Sequence, residues 1–72
     1  MQLTKRLKQF VNEVAEMAIS EGDADVTREE CVEEYVDQII SDDFACVVTY
    51  AASAGIAIPR ALRGALAEKV IA

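Results

Sequence analysis

The chain has no histidine and no tryptophan, a single proline, and two cysteines among its 72 residues. Without histidine it lacks both the commonest general base and the commonest metal ligand. No glycine-rich phosphate loop or cofactor motif occurs, so acid–base work would fall to carboxylates or to Tyr35 and Tyr50. The paired carboxylates that do occur belong to a solvent-facing row described below. The expectation is a non-enzyme, with no catalytic residue, no cofactor and no metal. Cys31 and Cys46 have no C-x-x-C partner and no companion ligand. Both are expected to be buried reduced thiols, because free cysteine packs as a small apolar side chain.

Positive charge is scarce where negative charge is dense. Residues 1–12 hold Lys5, Arg6 and Lys8 and no acid, whereas residues 13–43 hold twelve acids against Arg28 alone. The net charge of −6 argues against a broad nucleic-acid-binding face and for a basic partner protein. After Lys5, Arg6 and Lys8 comes an amphipathic stretch, not the apolar core of a secretory signal. The uncharged run Phe44–Pro59 is shorter than the ~20 residues of a membrane-spanning helix. No membrane association and a cytoplasmic location are expected.

What is present is apolar patterning at helical spacing. With 53% apolar residues the chain is too hydrophobic for disorder. A chain of this length makes one domain, 1–72, with a net stability of about 3–5 kcal/mol. Leu3, Leu7, Phe10, Val14 and Met17 alternate spacings of four and three, widened by Val11, Ala18 and Ile19. They predict a helix over 3–20 that Gly22 ends. Thr27-Arg28-Glu29-Glu30 fits a capping box, with Val26 and Cys31 placed as a hydrophobic staple. The second helix then runs 28–40, with Val32, Tyr35, Val36, Ile39 and Ile40 on its inner side.

Ser41-Asp42-Asp43 offers an N-cap for a third helix over 42–54, or a kink between collinear helices. Phe44, Val47, Val48 and Ala51 share one face of it, and Gly55 closes it. A strand is the rival reading, since FACVVTY is rich in β-formers, but it would find no partner strand in this chain. Pro59 suits the start of a last helix over 59–71, striped by Leu62, Ala65, Leu66 and Val70 and weakened by Gly64. The fold class is all-α: a compact bundle of four short helices with 44–54 near its centre.

Glu30, Glu33, Glu34 and Asp37 fall at i, i+3, i+4 and i+7, opposite the apolar stripe of the second helix. Like charges at Glu29/Glu33, Glu30/Glu34 and Glu33/Asp37 cost roughly 0.2–0.5 kcal/mol each. A surface tuned for stability alone would intersperse lysines, and none stands between Glu29 and Ile40. These four acids are the candidate partner-binding residues. The competing reading is a solvated face that keeps an apolar small protein soluble.

Lys5, Arg6 and Lys8 begin the first helix, and Arg60 and Arg63 the last, against the helix dipole. They are expected to pair with the acidic row, within the fold or across a dimer. Tyr50 lies off the Phe44 face and reads as a rim tyrosine. Asp23, Asp25 and Thr27 echo a calcium loop, but Arg28 stands where the turn needs glycine. A helix–turn–helix around Gly22 fails as well, because its second helix would carry five acids towards phosphates.

A short acidic helical chain without catalytic equipment resembles, in general type, the accessory proteins of phages and mobile elements. The first functional expectation is an interaction module, an inhibitor or regulator. It would dock the acidic face on a basic surface of another protein, including one that itself binds nucleic acid. The alternative is a homo-oligomeric assembly protein, a homodimer at its simplest, associating through apolar surface. Behind both stands an antitoxin-like subunit whose Lys5, Arg6 and Lys8 touch DNA as a minor arm.

Overall fold

Thr4 opens the first helix. Its backbone is extended, and its hydroxyl accepts from the Leu7 amide at 3.2 Å. Helix α1 therefore spans Lys5–Ser20, two residues later than the apolar period alone places it. Leu3 precedes the cap yet still packs on the core. The computed structural model describes the backbone of residues 2–71 and the side chains of residues 2–65.

Gly22 ends α1 as expected. Its positive φ of 74° turns the chain so that the Gly22 and Asp23 amides bond to the Ile19 and Ala18 carbonyls. Helix α2 spans Arg28–Ile40, and Thr27 caps it by accepting from the Glu30 amide at 3.2 Å. Only this forward half of the capping box forms among the described residues. Val26 stays 43% exposed, so the staple with Cys31 adds little burial.

The 41–43 segment is used differently from its sequence reading. Ser41 donates to the Asp37 carbonyl at 2.7 Å, and Asp42 sits in the left-handed region with φ 65°. The Asp42 and Asp43 amides bond back to Ile39 and Gln38. These residues stop α2 and are not an N-cap, and the joint is a full stop instead of a kink. Helix α3 accordingly spans Ala45–Ser53, three residues later than expected at its start. The N-cap position falls to Phe44, which provides no side-chain cap. Magnitudes explain the choice: a cap is worth ~1 kcal/mol, whereas burying phenylalanine completely is worth roughly 2–3 kcal/mol. Phe44 is 0% exposed.

Gly55, with φ 77°, closes α3 with the same pair of backward amide bonds. Pro59 then precedes helix α4, Arg60–Ile71, and its carbonyl accepts from the Leu62 and Arg63 amides at 3.1 Å. The expected α4 stripe is carried by Leu62, buried, and Ala65, half-buried. Leu66 and Val70 lie outside the described side chains.

Among the described residues there are four helices and no strand. The radius of gyration, 11.6 Å, matches the ~11 Å of a compact domain this size. α1 packs on α2 and on α3. Leu7, Phe10, Val11 and Val14 of α1 meet Ile39 of α2, Phe44, Val47, Val48 and Ala51 around α3, and Leu62 of α4. A second cluster joins Ala15 and Ala18 to Cys31, where small side chains let α1 and α2 approach closely. No polar or charged residue is buried among the described residues. Ile40, expected inside, is 52% exposed because it follows Ile39 around the helix and faces away from α1. No described helix is long and apolar enough to cross a membrane.

Candidate functional site: the outer face of α2

The inner side of α2 is fixed by Cys31 and Ile39, both buried, with Val32, Tyr35 and Val36 half-buried beside them. Helical geometry then sends Glu30, Glu33, Glu34 and Asp37 outward, and all four are exposed. Glu29 is exposed as well. None of the four carboxylates has a hydrogen bond or ion pair among the described residues. The half-made capping box leaves Glu30 with no bond of its own to Thr27.

Within the chain, the described cations do not neutralise this row. Arg28, the only cation between residues 13 and 43, is drawn towards α1, where its Nη2 donates to Asn12 Oδ1 at 3.4 Å. Asn12 in turn donates to the Lys8 carbonyl at 2.9 Å. Lys5, Arg6, Lys8, Arg60 and Arg63 are exposed and form no ion pair among the described residues. Among the described residues nothing offsets the row, which sets four carboxylates along about 10 Å of helix axis facing solvent. Over that length a DNA duplex carries about six phosphates, so the charge densities are of one order.

The calcium-like segment is committed elsewhere. Asp23 accepts the Tyr50 hydroxyl at 2.8 Å through Oδ2, and Thr27 caps α2. Sequence spacing could not have forecast the Asp23–Tyr50 bond or the Asn12–Arg28 bond. Their partners are 27 and 16 residues apart, and no local pattern connects them. Tyr50 is half-buried and packs against both core clusters with its hydroxyl at the rim, as read. The two cysteines differ: Cys31 is buried, but Cys46 is exposed. Cys46 lies one position from Val47 and so turns away from the face that Phe44, Val47 and Val48 bury.

The phenols titrate with the fold. The hydrogen bond to Asp23, with burial and the charges of Asp23 and Glu21, pushes Tyr50 up to about 12. Burial first, then the neighbouring Cys31, pushes Tyr35 up to about 12. Both folded values lie above the unfolded 10.0. The stability tied to the neutral phenols is therefore complete below pH 10 and lost as pH climbs through about 12. Urea midpoints followed by circular dichroism should hold steady up to about pH 9 and fall between about 10 and 12. In Tyr50→Phe the alkaline fall should shrink.

No family model matches the chain, and neither the curated proteins nor the solved structures contain a significant match to it.

Proposed function

We propose that this protein is a small acidic interaction module, an inhibitor or regulator, that lays the outer face of α2 on a basic surface of another protein. Glu30, Glu33, Glu34 and Asp37 make the contact. Where the partner surface normally holds nucleic acid, the carboxylates take the place of phosphates. The supporting observation is the uncompensated row itself: four exposed acids on one face, with the nearest cation in sequence turned towards Asn12. A cytoplasmic location suits such a partner.

Electrostatic docking of this kind weakens steeply with salt. The wild-type chain, used as bait in extracts of its source cells, should capture the partner at low salt and release it at high salt. The fourfold reversal E30K/E33K/E34K/D37K should capture none at either. Equal capture by both baits, or retention at high salt, would rule the row out as the docking face.

Self-association is the second reading, favoured by the exposed, uncharged outer residues of α3, Ala45, Cys46, Thr49, Ala52 and Ser53. Light scattering across a concentration series separates the two, because a monomer throughout the micromolar range excludes it.

A further inference from the structure

A trough open to solvent runs between the C-terminal half of α1 and α3. It is built from two hollows of about 350–400 Å³ that share Met17. Met17 lines both, and Tyr50, Ser53 and Ala54 line the second. Half-buried Met17, Tyr50 and Ile56 supply its apolar surface. Exposed Glu13, Glu16 and Glu21, with Asp23 held against Tyr50, supply the charge along it. Among the described residues, no lysine or arginine lines either hollow.

We infer that this trough receives a cationic amphipathic helix of a partner protein. Apolar side chains of that helix would rest on Met17, Tyr50 and Ile56, and its lysines or arginines would face Glu13, Glu16 and Glu21. An open hollow continuing along one side of α1 past Met17 suits a chain segment laid against it, the helix-in-groove mode of recognition. The length is set by the lining stretch of α1, where Glu13 to Ser20 rise about 10 Å, some two turns of a bound helix.

Charge selects the occupant. A second copy meeting this face across a two-fold axis would set the same acidic wall against itself. Nor can a second copy insert a basic segment from among its described residues: Leu7 and Phe10 beside Lys5, Arg6 and Lys8, and Leu62 between Arg60 and Arg63, are buried in its core. A foreign segment that is oily on one side and basic on the other meets neither obstacle. The trough shares no residue with the α2 row, so the two surfaces stand or fall separately.

The test uses a synthetic helical peptide of about four turns, with leucine at i, i+3, i+4 and i+7 and lysine elsewhere, and a control with alanine for every leucine. Binding to the full chain is read by fluorescence anisotropy, and its location by amide shifts in ¹⁵N spectra. The leucine peptide should bind at least about tenfold tighter than the alanine control and shift the amides of Met17, Tyr50 and Ile56. E13K/E16K should weaken it by about tenfold or more relative to E30K/E33K, which changes the net charge equally. Both pairs sit at exposed positions, and circular dichroism confirms their folding. Equal affinity of the two peptides, equal loss in the two charge-matched variants, or shifts confined to α2 would each overturn the trough as a docking site. A dimer that the peptide must displace would overturn the choice of occupant. E13K/E16K leaves the α2 row intact, so a null result here leaves the row's own test standing.

Discussion

Phe44→Ala is expected to leave the protein largely unfolded at room temperature. The side chain is completely buried, next to Phe10, Ile39 and Leu62 in one cluster. Removing such a ring costs roughly 3–5 kcal/mol, against a total stability of about 3–5 kcal/mol for a domain this small. Phe44→Leu keeps most of the volume and should cost about 1–1.5 kcal/mol. Phe44→Ser is the sharper comparison, since serine would restore the cap that α3 lacks. A cap returns only ~1 kcal/mol, so this variant should also be mostly unfolded. Circular dichroism at 222 nm with urea titration checks all three. A Phe44→Ser protein as stable as wild type would show that capping, and not burial, governs the start of α3.

The fourfold reversal E30K/E33K/E34K/D37K carries the second large effect, on binding and not on folding. All four side chains are exposed and none has a partner to lose among the described residues. The helical signal and the melting temperature should therefore change little. At a basic surface each exposed contact is worth roughly 0.5–1 kcal/mol, and reversal replaces it with a repulsion of similar size. Four positions then sum to about 4–8 kcal/mol, at least about a thousandfold in affinity. Single reversals should each cost about five- to thirtyfold and steepen with falling salt. Calorimetry with the captured partner measures both. A partner whose affinity ignores all four changes is held by some other face.

Much of this architecture was legible from local chemistry. Thr27 with Glu30, and Gly22 and Gly55 just past helical runs, are start and stop signals written within a few residues. The structure uses each where the sequence puts it. The inward positions of Phe10, Val14, Ile39, Val47 and Ala51 followed from period alone. Ser41-Asp42-Asp43 did not, because the same residue types serve both ends of a helix. Serine and aspartate cap N-termini, yet aspartate also tolerates the left-handed conformation that ends one. Which role applies depends on whether the next residue is wanted outside or inside, and Phe44 is wanted inside.

The candidate docking face was readable for the same reason as the core, since one period fixes both sides of α2. What the sequence could not reveal was where its lone cation would go. The cations expected to pair with the acids were Lys5, Arg6, Lys8, Arg60 and Arg63, and nothing local assigned a partner to Arg28. Arg28 reaches α1, a contact between residues 16 apart that only the packing angle of two helices decides. Cys46 was misjudged because residue type was weighed above position. Thiols are usually buried, but the neighbouring Val47 had already claimed the inward direction.

That outward placement governs how the isolated protein will age. Stored in air without reductant, it should accumulate a covalent pair joined through Cys46, while Cys31 stays shielded under α1. Titration with Ellman's reagent should count one fast thiol in the native state and two after denaturation. Serine at 46 is therefore the prudent background for any measurement of oligomeric state, because an oxidised pair would otherwise pass for a natural one.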